Sequence, residues 1–387
     1  MNAEKVFLID GSNFIDYPKG GQLSFCSQLL DVFPEGYFKL VGITTHKDHK
    51  IGVWQTVAIG NREFEFFPAY FLPPGQIKGF LPERLKLFVN LLKFRKRIFG
   101  LEKQPKVLSN TPEALIAITL FGKKTKILHF LHGVENPLKM PRFKWGKAIK
   151  APFWKLFLKA LAKAEYRAAT ADATNLKEFV EINRISGQIT SFPTRFDDNV
   201  FKNLNYQKPG KPLFIYCGRI NMVKGWELLI DSFFEYTQQF GDAALVFLGD
   251  GEDRPKLQQK INEYGLEQQV TITGFLNKTE IVEWLNKSSV FVLPSYKEGW
   301  PIALIEALAC GLPLVATNVS GTNDMIFEAV NGYIVKSRAP AEFAQAMFQA
   351  QKLESPNFKS LNVALNYRVS GLHAALITAF PGFFSPQ

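Results

Sequence analysis

Short apolar runs alternate with longer helical stretches through the second half of the chain, and this alternation limits the fold more than any other feature. Leu213-Phe214-Ile215-Tyr216, Ala244 to Leu248, Val290 to Leu293 and Pro313 to Ala316 are apolar without interruption, and Val270 to Ile272 is broken only by Thr271. Strands of that kind are buried on both faces, as in a parallel sheet. Helical stretches at Trp226 to Gln239, Arg254 to Tyr264, Lys278 to Leu285 and Pro301 to Ala309 lie between them. The pattern predicts an α/β domain whose ligand sits at the carboxyl ends of the strands.

The first half shows the same alternation. Val6-Phe7-Leu8-Ile9-Asp10 reads as a strand, Pro18-Lys19-Gly20-Gly21 as a turn, and a helical pattern starts at Leu23, with further strands at Leu40 to Thr44 and Ile127 to Leu131. A chain of 387 residues suits two such domains. The polar stretch from Lys202 to Lys211 breaks all periodicity and places the boundary there. The expected domains are 1–203 and 204–365, with 366–387 a closing segment that packs back on the first.

Other classes drop out on composition. Hydrophobic residues make up 47% and charged residues 21%, which excludes a disordered or collagen-like chain. Cys26, Cys217 and Cys310 lie far apart with no paired spacing, so neither a disulfide framework nor a cysteine zinc site is expected, and a reducing compartment is. The start, MNAEKVFLID, lacks a secretory pattern. Ala114 to Phe121, the best apolar run, is too short to span a bilayer.

The net charge of +11 is unevenly placed: residues 1–200 carry 30 Lys and Arg against 18 Asp and Glu, while 201–387 carry 16 against 17. Leu138 to Arg167 holds nine basic residues and one acid, Glu165, interleaved with Phe143, Trp145, Phe153, Trp154, Phe157 and Tyr166. Lys78 to Lys106 holds nine against two. Such segments suit an anionic membrane interface, an ordinary solvated face or nucleic acid, and no nucleic-acid motif accompanies them.

Chemistry concentrates in Glu298-Gly299-Trp300-Pro301-Ile302-Ala303-Leu304-Ile305-Glu306. Pro301 suits a first helical turn, and a helix start holds a diphosphate through free N–H groups. A helical rise kept throughout would separate Glu298 from Glu306 by roughly 12 Å, enough for one carboxylate to meet a sugar and the other a ribose. Arg219 follows Gly218 beyond one strand, and Lys224-Gly225 starts a helix. These two cations would neutralise a leaving diphosphate. His132-Gly133 follows the strand Ile127 to Leu131. His129 and His132 fall on opposite strand faces, against a metal pair. Taken singly, each of these has a plainer reading: a solvated acid, a surface cation, a structural histidine.

Together and in this order they resemble the retaining glycosyltransferases of family four, with the GT-B fold of two facing Rossmann-like domains and a cleft between them. The resemblance runs through Gly20-Gly21, His132-Gly133, Pro193 to Asp197, Gly218-Arg219, Lys224-Gly225, Gly249-Asp250-Gly251, Gly274-Phe275, Glu298 to Glu306 and Ser320-Gly321. It departs at Pro193-Thr194-Arg195-Phe196-Asp197, where the family has proline-asparagine-glycine-valine-aspartate, and at Asp324, where a glutamate is commoner.

The resemblance implies a role for each position. Glu306 would bind the ribose hydroxyls, and Glu298 the donor sugar. Arg219 and Lys224 would clamp the diphosphate beside Gly218 and the backbone of Gly299, Trp300, Pro301 and Ile302. Phe275 would meet the base, His132 the transferring sugar, and Gly20-Gly21 the phosphates and acceptor. It further implies a retaining hexosyltransferase-type enzyme without cofactor. No strict Asp-x-Asp motif is present, and Asp250 to Asp253 reads as a turn, so metal-independent chemistry is expected. The donor would be a UDP-sugar first and GDP-mannose second. The acceptor would be a glycan or lipid-linked glycan of bacterial-type cell-surface polysaccharide or lipopolysaccharide synthesis. The enzyme would be cytoplasmic and peripheral on the inner face of the membrane, with no nucleic-acid partner. A non-catalytic scaffold of the same fold and a nucleotide-sugar epimerase are the alternatives.

Overall fold

A computed structural model of the chain describes residues 5–384 other than 12, 16–20, 74–82, 101, 121–123, 135–145 and 209. The backbone separates into two units, Met1–Pro193 with Leu372–Gln387, and Thr194–Gly371.

The first unit holds strands β1 (Val6–Ile9), β2 (Phe38–Thr44), β3 (Gln55–Ile59), β4 (Arg62–Phe71), β5 (Lys106–Ser109), β6 (Lys126–Leu131), β7 (Tyr166–Ala169) and β8 (Thr190–Ser191). Its helices are α1 (Gly21–Val32), α2 (Glu83–Phe99), α3 (Pro112–Thr119), α4 (Gly146–Leu161) and α5 (Ala173–Asn183). The strands form one sheet in the order β3-β4-β2-β1-β5-β6-β7-β8. Side chains of β1 alternate between two cores: Phe7 and Ile9 join Leu87, Leu115 and Phe157 on one face, and Val6 and Leu8 join Phe25, Leu29 and Phe66 on the other. This two-sided burial is why the strand reads as an unbroken apolar run.

The sheet is not wholly parallel, as the alternation predicted. β3 and β4 pair antiparallel, with Ile59 opposite Arg62 across the two-residue turn Gly60-Asn61, where Gly60 takes φ 60°. A glycine that tolerates positive φ lets the turn match the strand twist.

The second unit holds β9 (Leu213–Cys217), β10 (Ala244–Leu248), β11 (Val270–Gly274), β12 (Val290–Leu293), β13 (Leu314–Thr317) and β14 (Gly332–Val335). Its helices are α6 (Trp226–Phe240), α7 (Arg254–Glu263), α8 (Lys278–Lys287), α9 (Ile302–Ala309), α10 (Thr322–Met325), α11 (Pro340–Ala350) and α12 (Phe358–Ala364). All its strand pairs are parallel, in the order β11-β10-β9-β12-β13-β14. Ile215 faces one core with Phe291 and Leu304, while Phe214 and Tyr216 face the other with Phe233 and Phe247.

The units divide after Pro193, ten residues ahead of the boundary expected after residue 203. Phe196 and Phe201 are already buried in the second unit's core. The polar stretch is bound to the end of α8: Asn286 accepts from the Leu204 N–H at 2.7 Å and donates to the Lys202 carbonyl, and the Lys208 ammonium donates to the Asn286 and Ser288 carbonyls. Loss of periodicity marked a strap across a helix end. Likewise the chain stays in the second unit to Gly371, later than residue 366, because Tyr367 is buried there and Arg195 donates to the Asn366 and Arg368 carbonyls. A last helix, α13 (Leu372–Ala379), belongs to the first unit, where Leu372, Leu376, Phe380, Phe383 and Phe384 are buried with Val6, Leu8 and Phe38.

Candidate active site

In the second unit the strand order reverses at β9, which has β10 on one side and β12 on the other. At such a point the loops leaving the two central strands run in opposite directions and open a crevice at their carboxyl ends. The loop after β9 becomes a short 3-10 turn, Met222–Lys224, which Asn221 caps by accepting from the Lys224 N–H at 3.1 Å. Gly225 ends that turn at φ 72°, and a Cβ there would collide with the Pro294 carbonyl of the loop after β12. A further bond from the Tyr296 N–H to the Val223 carbonyl at 2.9 Å ties the two loops together.

That contact brings the chemistry-bearing side chains together. The Lys224 ammonium donates to both carboxylate oxygens of Glu298, at 2.7 and 2.9 Å. The Ser295 hydroxyl donates to Glu298 Oε1 at 2.7 Å. The Glu298 side chain keeps only 9% of its exposure and Lys224 keeps 31%, so the carboxylate is sheltered while the ammonium still reaches solvent. Behind them Thr317 donates to the Ser295 carbonyl, and Arg338 donates to the carbonyls of Pro294 and Ser295. The end of β13 and the loop after β14 thus hold the backbone that carries Glu298.

Glycines bring the neighbouring loops equally close. A Cβ at Gly249 would collide with the Gly218 carbonyl, and one at Gly251 with the Ile220 carbonyl. Gly218 is itself confined by the Tyr216 hydroxyl, which donates to the Arg219 carbonyl at 2.9 Å. Arg219 stands exposed on this loop, and its guanidinium has no ion-pair partner among the described residues. It is therefore available to an anion. Asp250 pairs with Arg254 at 2.8 Å, consistent with a turn into α7. Phe275, just past β11, is 69% exposed and so open to a ligand on that side of the loop.

The helix α9 starts one residue later than expected. Pro301 is its N-cap in an extended conformation, φ −76° and ψ 99°, and its carbonyl accepts from Leu304 and Ile305. No side chain caps this start and no acid stands in its first turn, so its positive end is left for an external anion. Glu298 and Gly299 lie in the loop, so the helical rise assumed between Glu298 and Glu306 does not hold over the first part of that span. The Trp300 ring is not at the surface. It is 8% exposed and packs against Tyr367, with ring centroids 5.8 Å apart, so the side chain belongs to the core.

Glu306 lies in the middle of α9 and is half-buried. Burial raises its pKa to about 8; Lys278, itself 3.2 Å from Asp197, pulls it down and Asp197 pushes it up. The nearby thiols shift likewise: burial, then Glu306, raises Cys310 to about 12 and holds Cys217 well above its ordinary range. A half-buried carboxyl in such surroundings favours partners that donate hydrogen bonds.

The remaining sequence candidates belong to the first unit. His132 follows β6 with its ring 5.8 Å from Phe25, ahead of Gly133 at φ 98°. His129 is fully buried and bonded to the Ser109 hydroxyl at 2.8 Å, and burial lowers its pKa to about 3, with His132 adding to the effect. It is a neutral core residue. Gly21 begins α1, and Gly20 lies outside the described residues. The structure therefore joins Arg219, Lys224, Glu298, Gly218 and the start of α9 around one strand reversal. Ser295, Thr317, Arg338 and Asn221 escaped sequence reasoning, and a lone hydroxyl after a strand has no spacing by which to be found.

Comparison with known proteins gives this arrangement a class. Residues 198–362 match the sequence model of the family described as glycosyl transferases group 1. The match covers most of the second unit, and the resemblance read from the motifs holds. Among curated relatives, the alpha-D-kanosaminyltransferase of Streptomyces kanamyceticus is 35% identical over 142 residues, 37% of this chain and 37% of that one. The matched stretch thus spans little more than a third of that relative's length. The fold of the whole chain is that of GT-B glycosyltransferases. The sucrose-phosphate synthase of Thermosynechococcus elongatus superposes with a TM-score of 0.71, at 16% identity, over 97% of this chain and 98% of its own. HepE of Anabaena, solved in complex with UDP, gives a TM-score of 0.67 at 17% identity over 97% and 100%.

Proposed function

We propose that the protein transfers a hexose-type sugar from a nucleoside diphosphate sugar to an acceptor hydroxyl with retention at the anomeric carbon. The observation that carries this reading is the Lys224–Glu298 pair at the strand reversal, with Arg219 exposed on the adjoining loop. A diphosphate laid across the start of α9 would meet the N–H groups of that helix, the Arg219 fork and the Lys224 ammonium. Glu298 orients Lys224 and presents its remaining lone pairs to sugar hydroxyls. Glu306 accepts from the ribose hydroxyls, and Phe275 covers the base. The role of His132 beside the transferring sugar rests on the family resemblance.

In the reaction the bond between the anomeric carbon and the diphosphate oxygen breaks, and the acceptor oxygen bonds to that carbon on the same face. The acceptor proton passes to the departing phosphate oxygen, so no protein nucleophile takes part. Arg219, Lys224 and the α9 start neutralise the leaving charge, and the proposal requires no divalent ion. UDP is favoured as the carrier, GDP-mannose second; the UDP bound to HepE supports the first. The basic first unit supports an acceptor in cell-surface polysaccharide or lipopolysaccharide synthesis at the inner face of the cytoplasmic membrane.

Calorimetric titration with UDP and with GDP, without added metal, tests the site. One nucleotide is expected to bind, and Arg219→Ala and Glu306→Ala are expected to weaken it. Binding of neither would favour a non-catalytic scaffold. Proton NMR of the product's anomeric centre tests retention, and donor turnover without any glycosyl acceptor would favour an epimerase.

A further inference from the structure

In the first unit, α2 and α4 each turn one apolar face inward and show a second one to solvent. On α4, Phe157, Ala160 and Leu161 are buried in the core, while Ile149 and Leu156 are 40% and 42% exposed, with Pro152 exposed between them. On α2, Leu87, Leu91, Phe94 and Ile98 are buried, while Leu85 and Val89 are 36% and 53% exposed. The outward residues recur at intervals of three or four, so each set forms one stripe. Both helices pack on α3 and line the same core, which places the two stripes on the solvent side of one helical layer.

Along α4, and along α2 beyond Glu83, the charge has one sign, and α3 between them carries a single acid, Glu113. α4 contains no acidic residue, and Lys155, Lys159 and Lys163 are exposed along and just beyond it. α2 has no acid after its first residue, Glu83, and exposes Lys93, Arg95, Lys96 and Arg97. None of these seven cations forms an ion pair with a described residue. The neighbouring α5 differs: there Lys177 lies 4.0 Å from Glu181, as on an ordinary solvated helix.

Water accounts for the lysines but not for the aliphatic stripe, and a nucleic acid would likewise use only the cations. A bilayer with anionic headgroups uses both, because aliphatic side chains enter the acyl boundary while long basic ones reach back to the phosphates. We propose that the solvent side of α2 and α4 docks on an anionic lipid surface, with Leu85, Val89, Ile149 and Leu156 immersed and the surrounding lysines at phosphate level. This deepens the membrane reading of the proposed function, on which it rests, by naming the face. Among the described residues no helix is long and apolar enough to cross a membrane, so attachment through this face is peripheral and sensitive to salt.

The test is sedimentation of the full chain with vesicles of phosphatidylcholine alone or with about one third phosphatidylglycerol, a fraction chosen to approach the anionic surfaces that attract basic segments. Binding to the anionic vesicles alone is expected, weakening as salt rises. The triple variant Lys155→Gln, Lys159→Gln, Lys163→Gln is expected to bind about a hundredfold more weakly, at roughly fivefold for each lysine. The double variant Ile149→Ser, Leu156→Ser is expected to lose about tenfold through its apolar contribution. Equal binding to both vesicle types, or none to either, would overturn the proposal. So would a double variant that binds like the parent, which would mark a plain polyanion surface. UDP titration of the same variants separates the readings: vesicle binding lost with UDP binding kept confines the failure to the docking face.

Discussion

Lys224 and Glu298 are 74 residues apart in sequence, yet the ammonium of one donates to both carboxylate oxygens of the other. Their pairing follows from the reversal of strand order at β9, which sets the loops after β9 and β12 side by side. Lys224→Met should lower turnover of a nucleotide sugar by at least about a hundredfold, because a positioned cation opposite a leaving anion is lost. It should also cost about 1–3 kcal/mol of stability by leaving a sheltered carboxylate with fewer partners. Steady-state rates and urea unfolding measure the two, and unchanged rates would remove Lys224 from the chemistry.

Gly225→Ala tests the junction that positions this pair. The residue sits at φ 72° against the Pro294 carbonyl, so a methyl group meets both backbone strain and a collision. A loss of about 2 kcal/mol or more is expected in urea unfolding, with nucleotide affinity falling as Lys224 is displaced.

Arg219→Ala should separate binding from folding. The side chain is exposed and unpaired among the described residues, so stability should stay within about 0.5 kcal/mol. UDP affinity should fall by about tenfold or more, and that of uridine monophosphate by less, because the bidentate contact is made to the diphosphate. Equal losses for both nucleotides in calorimetry would place Arg219 elsewhere.

Glu306 predicts a pH dependence with a definite sign. Burial raises its folded pKa to about 8, above the ordinary 4.5, so folding favours the protonated form. Its contribution to stability is fully present below pH 4.5 and is lost as pH rises towards 8. Glu306→Gln should therefore gain on the parent protein over that interval, seen by thermal unfolding at several pH values. Nucleotide binding should run the other way. Ribose hydroxyls donate best to the ionised carboxylate, so affinity should increase as pH approaches 8, and the glutamine variant should flatten that rise.

Much of the second unit is legible in the sequence because its strands are buried on both faces. Val290 to Leu293 can only be an apolar run there, and the structure begins and ends β12 at the same residues. The β3–β4 hairpin was also signalled, by Gly60-Asn61 ahead of the alternating Arg62-Glu63-Phe64-Glu65-Phe66, but that period of two was absorbed into the wider β/α alternation. The division of units was misplaced for a different reason: the polarity of residues 202–211 reports exposure along a strap and carries no information about which core Phe196 and Phe201 enter.

For the site, residue types and local spacing pointed to Arg219, Lys224 and Glu298, on loops after buried strands, and to Glu306 in the helix that follows, since such charges are chemical signals within one segment. Their partners depended on contacts distant in sequence. That Glu298 is held by Lys224 and Ser295, that Arg338 secures the carbonyls behind it, and that the Trp300 ring turns into the core follow from which loops the strand order makes neighbours. Local periodicity is a property of a few adjacent residues, and so the chain order alone specifies the strands and helices. The order of strands across a sheet is set by packing over the whole unit, and that packing selects which of the legible charges meet.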